Sequence, residues 1–443
     1  MRTRDAAVAF TPALSVEAML DVEAALAEAL ADVGVIPASS AEAIRAAARA
    51  ELYDVDALLE EAVGAGNLLI PIVQQLIGRV ASLDRAAAGH VHWGATSQDV
   101  MDTALVLRLR AAAGDIVQSL TRAADAAADL AGRHVATPMA GRTWLQQATP
   151  TTFGAKAATW LDAIVRARRH LASSMEAALE LQLGGATGTL SSLGADGPRV
   201  AQALAARLQL RVADIPWHTE RSRIAGVACA LGMTCGSLGK IGRDIALLAQ
   251  TEVGEVSEPS SAGRGGSSSM PHKRNPVASA VVAAAAVQAP GLVATMLSAM
   301  PQEHERALGG WQAEWETLPA LVTLASRSAR TIADTLPYLV VDVARMRTNL
   351  DAAGGVARAE GLVRLLAPHL GRNDALSLVK RVCDRTIADG GSLHEVAAAE
   401  PQIREHLNAE QIANALDPAS FLGATRTFID RTLERWRRER DGG

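Results

Sequence analysis

Apolar residues recur at steps of three and four along much of the chain, and four segments carry the pattern far enough to predict long helices. From residue 102 onward, Leu105, Leu109, Ala112, Ile116, Leu120, Ala123, Ala127 and Leu130 form one stripe, the spacing of a helix that buries a single narrow face. A second stripe holds Ile224, Val227, Leu231, Thr234, Leu238, Ile241, Ile245 and Leu248, with Gly226, Gly232, Gly236, Gly239 and Gly242 between them. Each glycine costs a helix roughly 1 kcal/mol, so this density predicts backbones packed unusually close to their neighbours. Residues 155–181 and 277–300 complete the set, and the fold class expected is all-α, with a bundle of very long helices at its centre. The 277–300 segment carries no charge and is long enough to span a bilayer. Its alanine content, Ser279, Gln288 and the Pro290-Gly291 pair instead predict a helix buried on all sides inside the bundle.

Gly, Ser and Pro gather between these rods, at 137–141, 183–189 and 257–271, and the last stretch is long enough for a mobile lid. Beyond 353–355 the helices become shorter, broken at Pro368, Gly371, Gly390, Gly391, Pro401 and Pro418. The expected organisation is three helical domains: an N-terminal one over 1–101, the central long-helix bundle over 102–352 and a small C-terminal one over 353–443. Length agrees, since 443 residues at roughly 150 per domain give about three.

Composition narrows the function. With 43 basic and 48 acidic residues, a net charge of -5 and 49% hydrophobic residues, the chain is globular rather than disordered. It lacks the basic stripe that phosphate backbones require, so neither nucleic acid nor membrane is expected as a partner, and an anionic ligand must be held by a local site. Aromatics are only 3%, which favours helix over sheet. Three cysteines, Cys229, Cys235 and Cys383, form no even framework, and Asp5 and Glu17 interrupt any N-terminal apolar segment. A reduced, cytoplasmic protein is the expectation.

The string GSSSMPHKRNP at 266–276 carries the most chemistry. A Gly/Ser loop with the hydroxyls of Ser267, Ser268 and Ser269 leads towards the uncharged helix beside Lys273 and Arg274, which brings backbone N–H groups and cations together as an anion site. The string resembles the GSSxMPxKxNP signature of the fumarase/aspartase superfamily. Two further regions of that superfamily are matched in order, VHWGATSQDVMDT at 91–103 and GRTWLQQATP at 141–150. GRTWLQQATP, PWHTER, MPQEHERALGGWQAEWETLP and LDPASFLG are similar in wording to the bacterial 3-carboxy-cis,cis-muconate cycloisomerases of the superfamily.

The resemblance implies a homotetramer with a twenty-helix core, active sites assembled from three subunits, and neither metal nor organic cofactor. It also implies addition or elimination across a carbon–carbon bond beside a carboxylate of a small polycarboxylate substrate, through a carbanion that needs fixed positive potential. Carried onto this sequence, Ser267 is the proton-transfer residue, Lys273 and Asn275 contact the substrate and carbanion, and Ser268 and Met270 line the same loop. Arg306 is expected to clamp a substrate carboxylate. His92 matches a histidine that serves substrate binding or acid chemistry in adenylosuccinate lyases. Thr96, Ser97, Thr143 and Gln146 match polar carboxylate contacts, although each alone would be an ordinary capping or turn residue.

Trp144 departs from the pattern. Many lyases of the superfamily have histidine there as general acid for a poor leaving group, and indole cannot shuttle protons at neutral pH. Lactonisation of a muconate needs no such acid, because the attacking group is an ionised carboxylate. Trp144 is then expected to shape the pocket. Nitrite is also a good leaving group, so a nitrosuccinate lyase remains compatible with Trp144, whereas an adenylosuccinate lyase is disfavoured. A non-enzymatic helical protein, as the superfamily has produced in crystallins, is opposed by the intact Ser267, Lys273, Asn275 and Arg306. A second departure lies at 221–226, where an acidic residue between Arg221 and Arg223 and a glutamate at Gly226 would be usual.

Overall fold

The computed structural model describes residues 10–259, 266, 270 and 273–442; Ser267, Ser268 and Ser269 lie outside the described residues. Within them the chain is all-α, with 17 α-helices and three two-stranded sheets. The four expected rods are Ser97–Arg133, Phe153–Ala178, Ser222–Leu248 and Val277–Ser298, and a fifth long helix runs over Gly310–Thr335. In the first rod Leu109, Ala112, Ile116, Leu120, Ala123, Ala127 and Leu130 are all buried. Leu105, the first residue of the expected stripe, is half-buried because it borders a cavity of about 450 Å³.

The chain divides into two compact units, one of Met1–Leu120, Ala167–Ser237 and Ala284–Arg330, the other of Thr121–Arg166, Leu238–Ala283 and Thr331–Gly443. In the first unit the Pro12–Val33 helix starts with Pro12 at its first turn and stops at Gly34, whose φ of 84° only glycine adopts readily. It buries Val16, Met19, Leu20, Leu26 and Leu30 against the Ala38–Ala47 and Gly197–Leu208 helices. Truncating one of these leucines to alanine costs about 2–5 kcal/mol. One member of the same buried stripe is not apolar: Glu23 is 1% exposed.

In the second unit, Leu362, Leu366, Leu378, Val379, Val382, Leu393, Ile403 and Ile412 form the core shared by the short helices that follow Gly354. Sheet appears where a loop was expected. Residues 137–141, read as punctuation, lead into a strand, Pro138–Thr143, paired antiparallel with Gln146–Thr152. The apolar alternation that announces a strand is missing from PMAGRT and QQATPTT.

The glycines of Ser222–Leu248 behave as expected at two positions. A methyl group on Gly232 would lie 2.5 Å from Val293 Cγ2, and one on Gly242 would lie 2.2 Å from Val282 Cγ2, so both admit close passage of the Val277–Ser298 helix. Gly226 and Gly236 face open space. The Val277–Ser298 helix corrects another expectation. It is not buried on all sides: only 28% of its most apolar 18-residue window is covered. One face, with Ala278, Val282, Ala285, Ala289 and Met296, is buried, while Val287 and Leu297 face outward. The helix is thus apolar all round but covered by the chain along one face only.

Candidate active site

In the first unit, Asp99 organises the residues around Thr96. Its Oδ1 accepts the Gly184 N–H at 2.8 Å and lies 2.7 Å from His218 Nε2; its Oδ2 accepts the Gly185 N–H at 2.8 Å and the Thr96 N–H at 3.0 Å. One buried carboxylate thus fixes the start of the Ser97–Arg133 helix, the 183–189 loop and the segment before Ser222. Charge-assisted bonds of this kind are about twice as strong as neutral ones. Onto this frame Arg306 donates from Nη1 to Thr96 Oγ1 and from Nη2 to the Ala186 carbonyl, each at 2.9 Å. Arg306 and Thr96 are therefore brought together, with Ser97 half-buried beside them at the first residue of the helix.

His92 sits four residues before Thr96 with φ 58°, a left-handed conformation that costs an L-residue roughly 1–2 kcal/mol. Its Nδ1 lies 2.5 Å from Oε1 of the fully buried Glu23. Burial by itself would lower the imidazole pKa; the Glu23 charge and hydrogen bond, aided by Asp99, outweigh it and raise the pKa above the ordinary histidine value. The charged form of this imidazole, four residues before Thr96, is thereby stabilised relative to an ordinary histidine.

Beneath lies a buried charge network. The Arg221 guanidinium forks onto Asp102 at 2.7 and 3.1 Å and onto Glu314 at 2.9 and 2.5 Å. Burial opposes the arginine's charge, but the Asp102 carboxylate holds its pKa high; burial pushes Glu314 upward against the pull of Arg221. Trp311 Nε1, Gln98 and Gln302 donate to the two carboxylates. The acid missing between Arg221 and Arg223 is thus supplied from elsewhere, and Arg223 in turn pairs with Glu180 at 3.0 Å and Glu220 at 2.9 Å.

The second unit carries the other candidates. Thr143, Trp144 and Gln146 are exposed at the tip of the hairpin, with Trp144 97% exposed. The turn residues Trp144 and Leu145 have φ 52° and 64°, the conformation for which hairpins prefer Asn-Gly. The base of the hairpin is clamped: Arg142 forks onto the buried Glu255 at 2.9 and 2.6 Å, and Asn349 donates to the same carboxylate at 2.9 Å.

Lys273 is exposed and its N–H donates to the Met270 carbonyl at 3.0 Å, while Asn275 is half-buried and its carbonyl accepts the Val277 N–H at 2.9 Å. The hydroxyls of the expected anion site, Ser267, Ser268 and Ser269, lie outside the described residues; at the helix that follows, Glu258 accepts the N–H groups of Ala278 and Ser279 at 2.9 and 2.7 Å and the Ser279 hydroxyl at 2.7 Å. Glu258 thus caps the start of the Val277–Ser298 helix, where a carboxylate is favoured.

Glu23, Asp99, His218 and the Asp102–Arg221–Glu314 network were not legible as site residues. Glu23 alone left a direct signal, an acid on the apolar stripe of a helix; for the others the partners are remote in sequence.

The profile of the family described as lyase matches residues 3–291, and that described as adenylosuccinate lyase C-terminus matches residues 355–432. A protein named 3-carboxy-cis,cis-muconate cycloisomerase from Pseudomonas aeruginosa is 50% identical over 417 residues, 94% of this chain and 91% of the relative. Nitrosuccinate lyase from Streptomyces davaonensis is 43% identical over 424 residues, 94% of this chain and 89% of the relative. The crystal structure of 3-carboxy-cis,cis-muconate lactonizing enzyme from Pseudomonas putida has a TM-score of 0.93 and 46% identity, covering 97% of this chain and 96% of the other. The Thr96–Arg306 geometry and these full-length similarities agree, and the chain belongs to the lyase family of the fumarase/aspartase superfamily.

Proposed function

We propose that this protein is a 3-carboxy-cis,cis-muconate cycloisomerase, closing the diene to 4-carboxymuconolactone in the protocatechuate branch of the β-ketoadipate pathway. The observation that carries the reading is the 50% identity over 94% of the chain to a cycloisomerase. The chemistry of the residues fits it. A substrate carboxylate oxygen attacks the alkene, one C–O bond forms, the π electrons move onto the adjacent carbon, and that carbon takes a proton, so each turnover takes up one proton from solution. Arg306 with Thr96, Ser97, Thr143 and Gln146 holds the spectator carboxylates, and Lys273 and Asn275 stabilise the charge that develops. Ser267 or His92 delivers the proton, with Ser268 and Met270 enclosing it. Trp144 shapes the pocket, since no leaving group needs protonation.

The protein acts in the cytoplasm as a homotetramer whose sites draw on several subunits. The uncovered apolar face of Val277–Ser298 and the exposed Trp144 and Leu145 support self-association. A nitrosuccinate lyase is the second reading, favoured by the 43% identical relative and equally tolerant of Trp144. The test is the ultraviolet absorbance of the diene mixed with wild type and with Ser267→Ala. Loss of the absorbance with wild type and not with the variant is expected. A folded wild type that leaves the diene intact but releases nitrite from nitrosuccinate replaces the first reading with the second.

A further inference from the structure

Glu23 lies on the face of the Pro12–Val33 helix that otherwise carries Val16, Met19, Leu20 and Leu30. A carboxylate there is destabilising unless it is paired, and its pairing is incomplete: Oε1 meets His92 Nδ1 at 2.5 Å, while the buried Oε2 has no partner among the described residues. A fold that needed only a filled core would place leucine or glutamine at this position. On the other side, His92 is held in a left-handed backbone conformation that turns its ring towards Glu23, and among the described residues its Nε2 has no hydrogen-bond partner. Two unfavourable features thus meet in one contact, beside the segment that presents Thr96 to Arg306.

We propose that Glu23 is a positioning residue for the reaction: its carboxylate binds Nδ1–H of His92, fixes the tautomer and ring orientation, and leaves the protonated Nε2 to face the substrate. This deepens the reading of His92 as an acid in the proposed function, and rests on it. The Glu23–His92 pair supplies a proton donor to carbon, a different task from the leaving-group acid that other lyases of the superfamily carry on the hairpin. The proton passes from Nε2 to the substrate carbon, leaving a neutral imidazole that solvent reprotonates. The titratable and charged groups facing the pair are Asp99 from the Ser97–Arg133 helix, and Tyr53, whose phenol is pushed up to about 12 by burial and stays neutral; Arg79 stacks over that phenol ring.

The experiment measures kcat and KM for the diene from pH 5.5 to 9 in wild type, Glu23→Gln, Glu23→Asp, His92→Gln and the Glu23→Gln/His92→Gln double variant. His92 acts in its cationic form, so kcat declines on the basic side; removal of the Glu23 charge lowers the imidazole pKa and moves that decline to lower pH. Glu23→Gln is expected to lose kcat by about tenfold or more at pH 8 with KM nearly unchanged, and to add nothing to His92→Gln. Glu23→Asp keeps the charge but not the reach, so it retains the position of the decline with a lower kcat. An unmoved decline in Glu23→Gln, or a loss that adds in full to that of His92→Gln, overturns the proposal. Histidine-labelled protein titrated by NMR without substrate separates this outcome from failure of the functional reading: the His92 signal, assigned with His92→Gln, must titrate lower in Glu23→Gln or the proposal fails, whatever the substrate is.

Discussion

Arg306, proposed to clamp a substrate carboxylate, is held in place by its own neighbours. Two of its five N–H donors are spent on Thr96 Oγ1 and the Ala186 carbonyl, which fixes the plane of the guanidinium and leaves the remainder for a carboxylate. Lysine has no such fork. Arg306→Lys is therefore expected to lower kcat/KM by about 10- to 100-fold, equivalent to roughly 1.4–2.8 kcal/mol, with the folded state preserved. An unchanged kcat/KM removes Arg306 from the substrate contacts. Arg306 stood out in the sequence as a candidate because its neighbours match a known pattern. Glu23 was less so, since its meaning depends on His92, 69 positions away, and Asp99 less still, since its four partners lie on three separated segments. Residue identities announce chemistry, but pairings across the fold do not appear in any local spacing.

At the scale of elements, periodicity served helices well and the hairpin poorly. The rods at 97–133 and 222–248 write their burial as a repeat of three and four, and burial follows it. The Pro138–Thr152 hairpin has a polar, Gly- and Pro-containing sequence, and its turn is Trp144-Leu145 rather than the Asn-Gly that would have marked it. That mismatch is informative, because a left-handed tryptophan and leucine at an exposed tip disfavour the isolated hairpin. Replacing the pair with Asn-Gly is expected to hold or raise the melting temperature while lowering turnover of the diene at least about tenfold. A variant as active as wild type would show that the tip takes no part in the site. The Val277–Ser298 helix marks a different limit: its uniform apolarity suggested cover on all sides, whereas only 28% of its most apolar window is buried within the chain.

For the whole molecule, two compact units each hold part of the candidate machinery: His92, Thr96 and Arg306 in one, the hairpin tip and Lys273 in the other. Exposed apolar surface on the Val277–Ser298 helix and at Trp144 and Leu145 accompanies this division. Sedimentation equilibrium is expected to give four times the mass of one chain, and full activity from a monomer would contradict a shared site. The most direct measurement is NMR of the product formed from 3-carboxy-cis,cis-muconate in deuterated water. A cycloisomerase yields 4-carboxymuconolactone with a single deuterium at the carbon adjacent to the new C–O bond. Unchanged diene, or an open-chain product without that bond, contradicts the assignment.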